Sequence, residues 1–237
     1  ALQRKGYVDA IVDPQIVKAV TSGILGRIAV AYFEWAGENW QVPVVDWSVI
    51  DGPAAAAGFA AKLSAAPIGT GPWTSISQAV DFSVALHALN PFEATRKVID
   101  ISGDGPNNSG GAVVASRDRA VTKQITINGL AIMNGRSNFG RVPMPNLDLY
   151  YRHCVIGGRG AFVIVANGFG DFARAIRRKL ILEIAGEPPS SGTFPRLRAD
   201  GAAIRAVGHA QTGTAEERWV PPCDVGERRF RGVIGDE

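Results

Sequence analysis

The sequence contains few of the residues that build the commonest metal and catalytic sites. Its 237 residues include two cysteines and three histidines. Cys154 and Cys223 lie too far apart in the sequence to resemble a zinc knuckle. The histidines are isolated from the cysteines and from one another, at positions His87, His153 and His209. These counts exclude the usual zinc sites built from cysteine and histidine.

The number of cysteines does not decide between a disulfide and separate thiols. Two cysteines are compatible with one disulfide in an oxidising compartment or with two unrelated thiols. Cys154 lies among tyrosines and before an apolar strand, a context typical of a small buried thiol. We therefore expect Cys154 to be a buried free thiol, and a disulfide with Cys223 is the alternative.

Long apolar runs and a strong net charge are also absent from the sequence. No uninterrupted apolar run approaches the roughly 20 residues that a membrane-spanning helix needs, so we expect no membrane span. The net charge of +3 is small and scattered, which argues against nucleic acid as a partner. In contrast, the 28 glycines and 14 prolines exceed the usual share and predict many tight turns or an irregular segment.

Apolar periodicity predicts helices and strands that alternate along most of the chain. The predicted strands are 27–35, 40–47, 96–102, 125–133 and 161–166, and the predicted helices are 2–20 with a break at Asp13-Pro14, 53–64, 75–89, 111–123, 147–153 and 169–185. Such alternation is typical of a mostly parallel, doubly wound (Rossmann-like) α/β sheet with flanking helices. The first two strands form an antiparallel hairpin, which supplies one antiparallel edge strand.

The pattern ends near residue 186. Residues 187–237 open with Pro188-Pro189-Ser190-Ser191-Gly192 and contain no ten-residue stretch of clean periodicity. We predict one α/β domain over residues 1–186 and an irregular C-terminal extension over residues 187–237.

Two side chains at strand or helix ends are candidates for ligand binding. In open α/β sheets, ligands gather at the carboxyl ends of the strands. Thr74 precedes a predicted helix, and Asp104 directly follows the strand 96–102. Their hydroxyl and carboxylate oxygens suit Mg²⁺, Ca²⁺ or Mn²⁺. Considered alone, however, Thr74 fits a helix cap and Asp104 fits a turn former equally well.

Five stretches of the sequence resemble a known family. They are Phe-Glu-Trp-Ala-Gly at 33–37, Trp-Thr-Ser-Ile-Ser at 73–77, Val-Ile-Asp-Ile-Ser-Gly-Asp-Gly-Pro-Asn-Asn at 98–108, Ile-Thr-Ile-Asn-Gly-Leu at 125–130 and Tyr-Tyr-Arg-His-Cys-Val-Ile-Gly-Gly at 150–158. In order and spacing they resemble an uncharacterised bacterial family of von Willebrand factor type A-like proteins. The resemblance covers about residues 2 to 186 and implies a von Willebrand A sheet.

The resemblance also implies a metal-ion-dependent adhesion site. Such a site uses an Asp-x-Ser-x-Ser loop after the first strand, a threonine before a later helix and an aspartate after the fourth strand. Thr74 matches the threonine and Asp104 the aspartate. The first strand and its loop would precede Ala1, so the expected sheet lacks that strand and the expected site is incomplete. We therefore expect this chain to bind Mg²⁺, Ca²⁺ or Mn²⁺ weakly or not at all.

By this resemblance the protein is a non-catalytic binding module. Its partner is a protein or another acidic ligand that completes the coordination of the metal, and the family implies a periplasmic or secreted location. A structural or assembly domain with a vestigial metal site is the alternative. A hydrolase is disfavoured, because no histidine has the context of a base and no Gly-x-Ser-x-Gly elbow occurs. Asp100 is expected to be a buried carboxylate that is hydrogen-bonded to a neighbouring loop.

Overall fold

Five strands form two separate sheets in the computed structural model, which describes residues 2–135, 143–168, 170–185 and 218–234. The strands are β1 (Ile28–Trp35), β2 (Gln41–Ile50), β3 (Lys97–Gly103), β4 (Ile125–Ile132) and β5 (Val163–Ala166). The helices are α1 (Leu2–Ile11), α2 (Pro14–Ser22), α3 (Pro53–Ala65), α4 (Ile76–Ala88), α5 (Val113–Thr122), α6 (Leu147–Tyr150), which continues into a π-helical turn at Tyr151–Val155, α7 (Phe172–Ala185) and α8 (Val225–Ile234). The alternating order of strands and helices up to α7 is the predicted one.

The sheet topology confirms a mixed α/β fold with a parallel sheet and an antiparallel pair. β3, β4 and β5 form a parallel sheet in that order, and β1 pairs antiparallel with β2. One feature differs from a single sheet with an antiparallel edge. β1 and β3 each have one strand neighbour, and the hairpin β1–β2 is a sheet of its own. A groove separates the edges of β1 and β3.

Local sequence signals explain where several helices begin. Asp13 caps α2, because its Oδ1 accepts a hydrogen bond from the backbone N–H of Gln15 at 2.8 Å. Pro14 occupies the first turn, where no backbone donor is needed, so the helix predicted over 2–20 breaks at this point as expected. At α4 the cap is Ser75, whose Oγ accepts from the N–H of Gln78 at 3.4 Å. The hydroxyl of Thr74 is therefore not the cap of this helix.

The core lies on both faces of the parallel sheet. Every residue of β4 is buried, as the central strand of a covered sheet requires. Ile127 belongs to the cluster that includes residues of α4 and α5, whereas Leu130 and Ile132 belong to the cluster that includes Ala10 and Phe172. Side chains of β4 therefore reach two apolar layers, one on each face.

A buried polar cluster connects α7 to the parallel sheet. Lys179 is fully buried, and its Nζ lies 2.6 Å from Oδ1 of Asp100 and 2.5 Å from Oε1 of Glu183. Asn128 donates a hydrogen bond from Nδ2 to Oε1 of Glu183 at 2.7 Å. Burial disfavours the charge of Lys179, but the carboxylates of Asp100 and Glu183 outweigh this effect and raise its pKa.

This cluster corrects two expectations from the sequence. The charge of Lys179 predicts an outward position on the amphipathic helix 169–185, yet its side chain lies on the buried side of α7 together with Phe172 and Ile176. Asp100 was expected to bond to a loop, yet it pairs with Lys179 of a helix. The reason is that a long cation on an inner face is tolerated when two carboxylates neutralise it.

The cysteines and the C-terminal residues also differ from expectation. Cys154 and Cys223 form a disulfide, with Cα atoms 5.3 Å apart, rather than two thiols. Residues 225–234 form α8, so the extension is not irregular over this part. Residues 186–217 lie outside the described residues, and the domain boundary at 186 stays a prediction. None of the helices in the described part of the chain is long and apolar enough to cross a membrane.

The buried cluster makes Lys179 a sharp test of the packing between α7 and the sheet. We expect Lys179→Met to lower the free energy of unfolding by about 3–5 kcal/mol, because it leaves two buried carboxylates without a cation. Urea denaturation measures the change. Lys5→Met is the matched control, since Lys5 pairs with Asp9 in an exposed i,i+4 pair, and it should cost less than about 1 kcal/mol.

A second variant distinguishes the effect of the unbalanced charges on stability from the effect of the changed side-chain shape at position 179. Lys179→Met combined with Asp100→Asn and Glu183→Gln removes all three charges and should recover most of the lost stability. Equal effects of Lys179→Met and Lys5→Met would contradict the buried ion pairs.

Candidate functional site

A groove lies between the two sheets. Its volume is about 1850 Å³, and it is lined by residues 27–36 along β1 and by residues of β3, including Asp100 and Ser102. The facing edges of β1 and β3 each lack a second strand neighbour. Such edges present rows of backbone N–H and C=O groups that can pair with a further strand.

The half-buried state of β1 follows from this groove. Its nearly all-apolar core predicts a strand covered on both faces, yet all eight residues are only half-buried. The groove leaves the edge of β1 without a neighbour and exposes side chains that a further strand would cover. Arg4 of α1 lies beside it, buried, with its guanidinium 2.8 Å from Oε2 of Glu34 in β1.

The structure brings Thr74 and Asp104 to this one groove. Both residues line it, Thr74 from the loop before α4 and Asp104 from the loop after β3. The two loops also touch each other, because a Cβ placed on Gly105 would lie 3.7 Å from Oγ1 of Thr74. The sequence predicted both residues, and the fold places their loops side by side.

Two asparagines hold these loops together. The backbone N–H of Thr74 donates to Oδ1 of Asn108 at 2.8 Å, and the N–H of Asn108 donates to the carbonyl of Thr74 at the same distance. The N–H of Ser77 donates to Oδ1 of Asn107 at 3.0 Å. Asn107 and Asn108 belong to the family-like stretch 98–108, for which the sequence alone indicates no role for either asparagine. Their position four residues or fewer after Asp104 is the signal that could have assigned one.

The carboxylate of Asp104 is exposed at the groove but sits in an environment that disfavours its charge. Nearby protein atoms displace water and raise its pKa, and this effect outweighs hydrogen bonds from its own backbone N–H and from the side chain of Asn134. An ionised carboxylate in such a place is stabilised by a nearby cation. The electrostatics of Asp104 therefore suit a cation ligand.

Aromatic side chains surround the two candidate residues. Trp35 and Trp73 line the groove, and Trp73 has a left-handed backbone with φ of 69°. The Tyr151 ring is fully buried, and its hydroxyl has no hydrogen-bond partner among the described residues. Residue 103 must be glycine here, because a Cβ would lie 2.6 Å from that hydroxyl. The Gly103-Asp104 turn can therefore approach Tyr151 closely.

The donors in the described residues do not complete a metal site. No group of three or more histidine, cysteine, aspartate or glutamate residues that could hold a metal occurs in residues 2–135, 143–168, 170–185 and 218–234. Thr74 and Asp104 offer two oxygen donors, whereas Mg²⁺ takes six ligands and Ca²⁺ six to eight. Further oxygens must come from elsewhere for a cation to bind tightly.

Comparison with known proteins places the chain in a family. The family model described as "Protein of unknown function (DUF1194)" matches residues 1–188. The chain belongs to the DUF1194 family. No curated protein matches this DUF1194 chain.

Solved structures similar to the DUF1194 chain share its fold. Proximal thread matrix protein 1 from the mussel byssus matches with a TM-score of 0.54 at 11% identity, over 77% of this chain and 42% of that chain. The pilus adhesin SpaC from Lactobacillus rhamnosus GG matches with a TM-score of 0.55 at 10% identity, over 79% of this chain and 28% of that chain. The DUF1194 chain thus spans less than half the length of either protein. The likeness confirms a von Willebrand A-like α/β fold.

The raised pKa of Asp104 predicts that its charge lowers stability. Because the pKa is higher in the folded state than the ordinary 3.8, ionisation opposes folding above the folded-state pKa. We expect Asp104→Asn to increase the free energy of unfolding at pH 7, by less than about 1 kcal/mol because the side chain is exposed. The difference should vanish as the pH falls below 3.8, where the aspartate is protonated in both states.

Urea denaturation at a series of pH values checks this prediction. Asp51→Asn is the control, since Asp51 is exposed and does not line the groove. A loss of stability in Asp104→Asn at pH 7 would contradict the assigned environment.

Proposed function

We propose that this DUF1194 chain is a non-catalytic binding module of the von Willebrand A-like type that recognises an acidic ligand through a divalent cation. The observation that carries the proposal is the convergence of Thr74 and Asp104 on one groove, with their loops in contact. Mg²⁺ is the proposed ion, and Ca²⁺ or Mn²⁺ suits the same oxygen donors. The partner is a protein or another ligand that carries a carboxylate.

The chemistry of the two side chains supports a cation that is shared with a partner. A hydroxyl and a carboxylate are hard oxygen donors, and burial raises the pKa of Asp104, so a cation bound beside it would stabilise the poorly solvated carboxylate. Two donors leave several coordination positions open. A carboxylate of the partner can fill one of them, so binding of the partner and the cation would be coupled.

The two strand edges that line the groove suggest where the remaining oxygen ligands of the cation come from. A strand that lies between β1 and β3 would satisfy both exposed edges and join the two sheets into one. A loop with the pattern Asp-x-Ser-x-Ser at the end of such a strand would add oxygen ligands beside Thr74 and Asp104. We propose that a high-affinity site requires this strand.

The disulfide supports the proposed location. Disulfides persist mainly in the periplasm, outside the cell and in other oxidising compartments. The pairing of Cys154 with Cys223 therefore favours a periplasmic or secreted protein. SpaC, which is similar in fold, is a pilus adhesin, and this is compatible with a binding role at such a location. A structural domain with a vestigial metal site is the second candidate, favoured by the small number of donors in the described residues.

Metal titration of an extended chain tests the proposal. The chain is extended before residue 1 by an apolar strand that ends in Asp-x-Ser-x-Ser, and calorimetry measures its affinity for Mg²⁺, Ca²⁺ and Mn²⁺. We expect Thr74→Ala with Asp104→Ala to weaken binding at least tenfold, because two direct donors are lost. Thr122→Ala with Asp118→Ala is the matched control, since both residues lie on α5 away from the groove.

Two results would count against the proposal. Unchanged affinity after the loss of Thr74 and Asp104 would refute the assigned ligands. An extended chain that folds but binds none of the three ions would favour the structural domain with a vestigial site.

A further inference from the structure

The C-terminal segment, residues 218–234, is attached to the α/β domain at several points. The disulfide joins Cys223 to Cys154 in the π-helical turn. Arg218 forms a bidentate ion pair with Asp148, with nitrogen to oxygen distances of 2.6 and 2.9 Å. Val225 is buried in the same apolar cluster as residues of α4 and α5. The segment is therefore part of the packed domain although a long stretch of chain separates it from α7.

The same segment contacts the loop that follows Asp104. Asn107 is fully buried and donates from Nδ2 to Oε1 of Glu227 at 2.7 Å. Residue 226 must be glycine, because a Cβ there would lie 1.9 Å from the carbonyl oxygen of Asn107. The backbone N–H of Asn107 donates to the Tyr150 hydroxyl at 3.1 Å, and that hydroxyl donates to the carbonyl of Cys223 at 3.4 Å. Asn107 is thus held on several sides by the segment and its attachment site.

Burying the carboxylate of Glu227 has a free-energy cost that packing alone does not explain. Its Oε2 is buried without a hydrogen-bond partner among the described residues, and buried oxygens of this kind normally find one. Its Oε1 makes the bond to Asn107. A carboxylate that leaves one oxygen unsatisfied while orienting a neighbouring amide is better suited to fixing a geometry than to stabilising the fold.

A short chain of hydrogen bonds leads from Glu227 to the loop of Thr74. Nδ2 of Asn107 donates to Oε1 of Glu227 and, at 3.1 Å, to the carbonyl of Gly111, and these two acceptors fix the orientation of the amide. The Oδ1 of the same amide then accepts from the N–H of Ser77 in the first turn of α4. If the Asn107 amide rotated, Ser77 would face a donor in place of an acceptor. Glu227 therefore contributes, together with the carbonyl of Gly111, to the position of the first turn of α4.

We infer that Glu227, Gly226 and Asn107 are positioning residues through which the C-terminal segment sets the geometry of the Thr74 loop at the candidate site. The inference rests on the proposed function only in treating Thr74 as a functional residue. The contacts lie outside the cation's own donors, so a substitution at Glu227 alters the geometry of the Thr74 loop without removing either donor side chain.

Amide hydrogen exchange in the 237-residue chain tests this inference without a metal. We expect Glu227→Ala to accelerate exchange at the N–H of Ser77 by about tenfold or more, because the Asn107 amide loses its charged partner. Glu227→Gln keeps an acceptor oxygen at the same place and should restore slow exchange. Asp224→Ala is the control, because it removes an exposed ion pair with Arg228 in the same segment.

The thermal midpoint of each variant separates local positioning from loss of the fold. The inference predicts similar midpoints for Glu227→Ala and Asp224→Ala, with fast exchange at Ser77 in the first alone. Gly226→Ala, which pushes against the carbonyl of Asn107, should accelerate exchange at Ser77 as well. Unchanged exchange in both Glu227→Ala and Gly226→Ala would overturn the inference.

Metal titration of the extended chain tests the proposed function independently of the positioning role of Glu227. Fast exchange at Ser77 in Glu227→Ala supports the positioning role even if the extended chain binds no Mg²⁺. The absence of Mg²⁺ binding would refute only the proposed metal site. Slow exchange at Ser77 in Glu227→Ala, together with Mg²⁺ binding that depends on Thr74 and Asp104, would refute only the positioning role.

Discussion

The exposed backbone edges of β1 and β3 determine the shape of the candidate site. Each strand offers a row of hydrogen-bonding groups with no strand neighbour, and such groups need a partner in a further strand or in water. The edges define the groove, and the groove contains Thr74 and Asp104. The half-burial of β1 has the same origin. A further strand in this place would complete both the sheet and the set of oxygen donors.

Polar contacts between residues that are distant in the sequence hold the loops of the candidate site. Asn107 and Asn108 connect the loop after β3 to the loop before α4, and Glu227 of the C-terminal segment orients Asn107. Lys179 of α7 neutralises Asp100, which also lines the groove. Buried polar groups that are paired in this way favour one arrangement of neighbouring elements. The loops that carry Thr74 and Asp104 are thus defined by specific bonds as well as by apolar packing.

The sequence predicted the features that depend on local patterns. Periodicity located the strands and helices up to α7, because neighbouring residues alone determine which faces are apolar. The break at Asp13-Pro14 followed from capping and from the missing N–H of proline. Thr74 and Asp104 came from the motifs of a family, since each residue alone also fits a cap or a turn.

The features that the sequence did not predict depend on contacts between distant residues. The disulfide joins cysteines 69 residues apart, and no local pattern indicates such pairing. The charge of Lys179 favours a surface position, and its two carboxylate partners come together with it only when α7 packs on the sheet. Helix α8 is ten residues long and follows an unpatterned stretch, so its periodicity gave too little signal.

A bound cation can be located by its effect on the amide protons around it. Mn²⁺ can be added to the extended chain while the amide signals are followed by nuclear magnetic resonance, because the paramagnetic ion broadens the signals of nearby protons. The account predicts the strongest broadening at Thr74 and Asp104, and much weaker broadening at Lys97 and Ile125, which pair at the other end of β3 and β4, roughly 20 Å away. Broadening centred elsewhere, or equal at both ends of the sheet, would contradict a cation site formed by Thr74 and Asp104.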